Sequence, residues 1–321
     1  MLKHCFVIAV IAACVHADGP VLKTGQSTEV QSGDDGMYQR GKVRTYSRSA
    51  EGVVSDHATN LEWQDDYSDN GDTVKEARLW SDAVDYCAAL DLNGSGWRLP
   101  KKFELIMLTD RGKSGPVIDA VFENTISTYA YWSATEYDAN SSFAWKVSFF
   151  SGLDAAPLKT DTTYPVYVRC VRGEGGVIQS AYVRDDGNAT VYDDVSMLEW
   201  QDDASVETQL YNWSDAVNHC ETLGFATHDD WRLPNLNELW SIVDLQQHFP
   251  AIDPAFAHTS TTKCYWSSTS YAPSTSYGWN IHFNYGFNTS PLKNDTLCYA
   301  RCVRAGEGEG INPSAIMYLL D

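Results

Sequence analysis

Apolar side chains recur along this chain with two periods, and the same succession of periods appears twice. Trp279, Ile281 and Phe283 alternate with Asn280, His282 and Asn284, as Trp145, Val147 and Phe149 do with Ala144, Lys146 and Ser148, which predicts half-buried strands. Ala216, Val217, Cys220 and Leu223 fall at i, i+1, i+4 and i+7 behind Trp213-Ser214-Asp215, which supplies an N-cap, and predict a helix that buries its cysteine. Leu236, Leu239, Trp240 and Val243 mark the face of a second helix, with Pro234 near its first turn, where a missing N–H costs nothing. Leu105, Ile106 and Leu108 fill the corresponding stretch of the first half. Between Tyr182 and Trp200, Asp186-Gly187-Asn188 interrupts strand-forming residues and predicts an opening β-hairpin. Gly152 and Gly286 mark turns, and Tyr299 to Arg304 reads as a closing strand. Hairpin, two helices, then antiparallel sheet is the order of an α+β fold.

The two successions are copies of one block. Leu61-Glu62-Trp63-Gln64-Asp65-Asp66 returns as Leu198-Glu199-Trp200-Gln201-Asp202-Asp203, Trp97-Arg98-Leu99-Pro100 as Trp231-Arg232-Leu233-Pro234, and Tyr131-Trp132-Ser133 as Tyr265-Trp266-Ser267. A repeat of this length is a compact domain, not a solenoid unit. The expected division is a first domain at 42–173, a second at 174–305 and a tail at 306–321. Ten of the 11 tryptophans form five repeat pairs, 63/200, 80/213, 97/231, 132/266 and 145/279, which assigns them to core or sheet lining.

Lys3 and His4 precede an apolar run from Phe6 to Ala13 that is too short to span a bilayer and reads, over 1–17, as a secretory signal with small residues before Asp18. Ile11-Ala12-Ala13-Cys14 also resembles a lipobox, so a lipid on Cys14 is the one membrane attachment foreseen. Residues 18–41, rich in Gly, Ser, Asp and Gln without apolar period, read as a linker. The 43 acidic against 23 basic residues give a formal charge of −20, which opposes nucleic acid, anionic membranes and sulfated polymers at long range. The expected location is secreted, periplasmic or at the cell surface.

Past the signal stand Cys87, Cys170, Cys220, Cys264, Cys298 and Cys302, an even number in an exported chain. Cys87 and Cys220 hold one repeat position and Cys170 and Cys302 another, so the simplest pairing is Cys87–Cys170 and Cys220–Cys302, leaving Cys264–Cys298 to the second copy. Each long clip closes a loop of over 80 residues, worth roughly 4 kcal/mol in the chain-entropy view.

Trp-Ser-Asp-Ala-x-x-x-Cys, Trp-Arg-Leu-Pro-x-x-x-Glu-Leu, Tyr-Trp-Ser-Ser/Ala-Thr and the final Arg-Cys-Val-Arg, each present twice, resemble the bacterial family named for the C-terminal domain of Legionella collagen-like protein. Leu22-Lys23-Thr24-Gly25-Gln26 resembles the lead-in that often precedes it. The resemblance implies two tandem C-type-lectin-like domains, related in fold to formylglycine-generating enzymes, in an exported adhesion or binding protein. The habitual clip of that fold joins the first helix to the last strand.

Loops on a fixed scaffold carry binding residues, and sugars need stacking faces beside amides and hydroxyls. Glu136 to Phe143 and Ser270 to Tyr277 differ between copies and are rich in Tyr, Ser and Asn; Tyr137, Asn140, Tyr271, Tyr277, Asn284, Tyr285 and Asn288 are the candidate contacts to a glycan or cell-surface protein. Asp91-Leu92-Asn93-Gly94-Ser95 spaces oxygens as Ca²⁺ requires, but the second copy has no equivalent, so a turn is expected and no cofactor is required. Glu62, Asp65, Asp66, Glu199, Asp202 and Asp203 could pass for paired catalytic carboxylates, yet beside strand ends they are expected to be solvated or to hold turns. Cys298-Tyr299-Ala300-Arg301-Cys302 resembles the copper-binding pair of formylglycine-generating enzymes with one residue fewer between the cysteines, which in a strand turns the second sulfur to the other face. The reading is a binding protein with no catalytic residue. A copper oxidase and a structural envelope component are the alternatives.

Overall fold

A computed structural model describes residues 21–67, 77–126, 128–173 and 181–306. The predicted signal with Cys14 and all but the first residue of the tail lie outside the described residues. In chain order the described elements begin with α1 (Asp35–Tyr38), β1 (Tyr46–Arg48), β2 (Val53–Asp56), β3 (Leu61–Gln64), α2 (Trp80–Ala89) and α3 (Lys102–Leu108). Strands β4 (Ala130–Glu136), β5 (Ala144–Ser148), β6 (Asp154–Ala155), β7 (Val166–Tyr167) and β8 (Val171–Arg172) complete the first copy. The second runs β9 (Tyr182–Asp185), β10 (Thr190–Asp193), β11 (Leu198–Gln201), α4 (Ser205–Thr208), α5 (Trp213–Glu221), α6 (Leu236–Ser241), β12 (Tyr265–Ser270), β13 (Gly278–His282), β14 (Phe287–Thr289) and β15 (Val303–Ala305). The fold is mixed α+β, with two small sheets per copy, ordered β1-β2-β3-β8 and β6-β5-β4-β7, then β9-β10-β11-β15 and β12-β13-β14, in a propeller-like ring.

Several local expectations change. The opening hairpin is a three-stranded meander, β9-β10-β11. Asn212 is the N-cap of α5, its side chain accepting the Asp215 N–H, so Ser214 and Asp215 lie within the first turn. Asn235 caps α6 and Glu238 returns the bond to the Asn235 N–H at 2.8 Å, a capping box that starts the helix after Pro234 and ends it before Val243. Asn280, expected outside, is buried, because Thr289 and the sulfur of Cys298 cover it. The closing segment is not one strand. Tyr299 bridges Tyr265 in parallel, whereas β15 joins β11, and β7 pairs parallel with β4 in the first copy. Where the chain changes sheets, the Gln201 side chain accepts the Cys302 N–H, and Gln64 does the same for Cys170, satisfying buried backbone that has left one ladder for the other.

Disulfides join Cys87 to Cys170, Cys220 to Cys302 and Cys264 to Cys298. The long pair clips each first helix to its closing segment amid tryptophan: Trp97 and Trp132 in one copy, Trp231 and Trp266 in the other. A further apolar cluster belongs to neither copy alone, because Trp63, Leu105, Ile106 and Phe149 share it with Trp200, Leu239, Trp240 and Phe283. The tandem is therefore one body with a common core.

Equivalent positions meet across the seam, as in a self-complementary dimer. The Asn288 N–H donates to Asp154 Oδ1 at 3.0 Å and the Asn288 side chain to Gly152 O at 3.3 Å. Lys102 Nζ lies 2.5 Å from Asp154 Oδ2, donates to Gly286 O at 2.6 Å and sits 3.2 Å from the Trp145 ring centroid. Burial lowers the Lys102 ammonium to about 8, against the pull of Asp154. Arg111 donates to Gly152 O and stacks 4.3 Å from Trp279. Such buried charges add little net stability but are costly to mispair, so they fix how the copies fit.

Residues 21–41, expected as a linker, form a packed strap. The Thr24 hydroxyl donates to Asp35 Oδ2 at 2.5 Å, Thr269 donates to the same oxygen at 2.8 Å, and the Gln26 side-chain oxygen accepts the Ser270 N–H at 2.6 Å. Ser214 donates to Gln31 and Tyr38 to Glu221 along α5. The strap also reaches the first copy, where the Arg111 N–H donates to Thr24 O and Arg44 to Lys23 O. Gly25 has φ +102°, and a Cβ there would stand 2.0 Å from Asp110 Oδ1. The strap lacks apolar periodicity because it docks through hydrogen bonds, with Leu22 its buried apolar anchor.

Candidate functional site

Most residues kept in both copies are structural. Trp80 and Trp213 donate to the carbonyls of Ser133 and Ser267, Trp132 and Trp266 to those of Arg78 and Tyr211. Asp65 is fully buried and receives Arg169 at 2.9 Å together with Arg48 and the Asn124 N–H. Asp202 receives Arg301 at 2.5 Å, Arg184 and the Ala257 N–H. Glu62 and Glu199 meet Arg172 and Arg304, so the twin arginines of Arg-Cys-Val-Arg are fasteners for the carboxylates of the opening meander. The segment at Asp91–Ser95 is a turn whose Leu92, Asn93 and Gly94 carbonyls accept from Trp97 and Arg172. Asp69-Asn70-Gly71-Asp72, a further run of oxygen-bearing side chains with no stronger claim to Ca²⁺, lies outside the described residues.

A different arrangement stands at the mouth of the seam, built from Tyr137, whose counterpart is Tyr271, and from Asp138, His248, Phe249 and Tyr285, which have no like residue in the other copy. Tyr137, on the loop after β4, lies 5.2 Å from Tyr285, on the turn before β14 of the other copy. Tyr285 stacks at 6.2 Å on His248 and meets the Phe249 ring edge-on at 4.6 Å. His248 Nδ1 lies 2.5 Å from Asp138 Oδ2 of the first copy, closing the ring of contacts. Phe249 is 53% exposed and the His248 side chain 43%, so the platform reaches solvent. Underneath, Trp145 holds Tyr137 edge-on at 5.4 Å. Burial, with the neighbouring Tyr285 hydroxyl, pushes the Tyr137 phenol up to about 12, so it remains a neutral donor at ordinary pH. The platform offers ring faces, a phenolic donor and a carboxylate–imidazole pair, the equipment for stacking on an apolar face and bonding its polar edge.

The seven candidate contacts separate into four groups. Tyr137 and Tyr285 are in the platform, and Asn284 positions it, its carbonyl accepting the Phe249 N–H and its side chain the Tyr285 N–H. Asn140 caps the exposed turn that follows Tyr137. Tyr271 packs against Tyr277 and Trp279 within the second copy. Asn288 is 1% exposed and spans the seam, so it is corrected to a structural strut. His248, Phe249 and Asp138 escaped the sequence reading because only a contact between copies gives them a role. A recess of about 250 Å³ lies between strap and second copy, but its charged walls bond one another through Arg232–Glu238, Arg304–Asp230 and Tyr38–Glu221.

The sequence pattern of the Lcl C-terminal domain matches residues 52–172 and 189–304, covering both copies. The chain belongs to the Lcl C-terminal domain family. A search of curated proteins finds no match. The matched segments begin within each opening meander and end at the arginines of each closing segment, so the strap lies outside them and the platform is assembled from both. Three disulfides point to an extracellular or periplasmic setting, and among the described residues no helix is long and apolar enough to cross a membrane.

Proposed function

We propose that this Lcl C-terminal domain protein is an exported binding protein that holds a glycan on the platform at the seam. One observation carries the reading: Tyr137, Tyr285, His248 and Phe249 converge from two copies onto a solvent-reaching surface, while the tryptophans of both copies are committed to the fold. Pyranose rings present an apolar C–H face and a hydroxyl edge, which match ring faces beside Asp138 and the Tyr137 hydroxyl. The net charge of −20 favours neutral or cationic sugars over sulfated ones. The finer fold reading, paired C-type-lectin-like domains, belongs to the same proposal. Its support is the clip from first helix to closing segment in each copy.

A copper oxidase would need Cys298 and Cys302 as a thiol pair, whereas each is engaged in a separate disulfide, which supports binding over catalysis. A glycan array tests the proposal. The native protein should retain a coherent set of glycans and Tyr285→Ser should lose them by tenfold or more. Retention of none, or retention indifferent to Tyr285→Ser, would contradict it and favour an envelope component.

A further inference from the structure

The two copies carry the same face formed by the first helix, the start of the second and the end of the strand between them, and the strap covers it in the second copy alone. There Trp213 is 2% exposed, Asn235 1%, Asn237 0%, Thr269 0% and Ser270 3%. Their counterparts are open: Trp80, Phe103 and Thr135 are half-buried, Lys101 and Ser81 exposed, and the Glu136 side chain is 46% exposed. The arginine of Trp-Arg-Leu-Pro repeats the contrast, 36% for the Arg98 side chain against 9% for Arg232. The difference between the copies follows the footprint of the strap. Only residues 174–180 separate Gly173 from Ala181, so the second copy has no lead-in long enough to cover the first in return.

Thr135 shows what is missing. Its Oγ1 accepts the Lys102 N–H at 2.9 Å, as Thr269 Oγ1 accepts the Leu236 N–H at 2.9 Å. The Thr269 hydroxyl then donates to Asp35 of the strap, whereas the Thr135 hydroxyl proton has no acceptor among the described residues. Ser81 stands where Ser214 grips Gln31, and reaches its neighbour Asp82 at 3.3 Å. Three changes alter the chemistry wanted, the first being Glu136 in place of Ser270, its carboxylate held by Lys159 at 2.5 Å. Lys101 replaces Asn235, which held the Arg40 carbonyl, and Phe103 replaces Asn237, which held the carbonyls of Leu22 and Lys23. The face now favours a carboxylate beside Thr135 and Lys101 and an apolar side chain beside Phe103.

We infer that the open face of the first copy is the docking surface for an extended peptide segment of a partner protein, bearing an acidic side chain for Thr135 and Lys101 and an apolar one for Phe103. The segment lies as the strap lies on the second copy, in the manner of peptides that complete a preformed surface. The inference does not depend on a glycan at the platform.

The experiment titrates the intact protein into a fluorescein-labelled peptide of residues 21–42 and follows anisotropy. Saturable binding is expected, weakened at least tenfold by Thr135→Val in the protein or by Asp35→Asn in the peptide, and restored by Thr135→Ser, which keeps the hydroxyl. Circular dichroism of Thr135→Val checks that the fold survives, and the Thr135→Ser rescue and the peptide variant read the contact independently of it. Absence of saturable binding at millimolar protein overturns the inference. So does binding indifferent to Thr135→Val, since the peptide would then be exchanging with the strap on the second copy.

Discussion

Asp65 and Asp202 illustrate how a repeated acidic motif can be a fastener. Each is fully buried against an equally buried arginine, Arg169 or Arg301, so removing the negative charge strands a cation in the interior. Asp202→Asn should therefore cost about 3–5 kcal/mol, measured as a fall in the urea midpoint. Glu62→Gln, whose carboxylate is 40% exposed beside Arg172, should cost less than about 1 kcal/mol in the same assay. Equal losses would show that burial is not what distinguishes them. The tryptophans were readable as structure because the duplication acts as its own control, and the pairs 80/213 and 132/266 make matching bonds. The Tyr137–Tyr285 contact was not readable, since it joins non-equivalent positions of different copies and no periodicity within one copy encodes it.

The strap carries no periodic signal for a physical reason: periodicity detects burial of apolar faces, and this segment docks through Thr24, Gln26, Gln31 and Asp35. Asp35 makes its attachment pH-dependent. Burial pushes this carboxyl from 3.8 up to about 7, opposed by the hydroxyls of Thr24 and Thr269 and reinforced by nearby Glu238 and Asp34. Below pH 4 the group is protonated folded or unfolded, and its contribution is complete. Between about 4 and 7 the unfolded chain gives up the proton first, so stability declines as pH rises, then levels off above 7. The whole range amounts to roughly 4 kcal/mol as an upper bound. Asp35→Asn, neutral throughout, should be nearly equal to wild type near pH 4 and gain on it towards pH 8 in urea denaturation. A constant difference across that range would refute the assignment. The closing segment reads as one strand in the sequence for a related reason, because its change of sheet depends on Gln64 and Gln201, whose side-chain bonds leave no periodic trace.

The duplication announces two domains, and the structure merges them. One apolar cluster draws from both halves, Lys102 bonds Asp154 in its own copy and Gly286 in the other, and the strap binds both. The α+β succession and the disulfide pairing follow from repeat positions, whereas the seam arises from the packing of one copy on the other. That packing builds the platform, so the proposed binding surface exists only if the halves form one body. Scanning calorimetry of the disulfide-intact protein tests this most directly. The account predicts a single transition with calorimetric and van't Hoff enthalpies in agreement. Two separable transitions, each carrying about half the enthalpy, would contradict it.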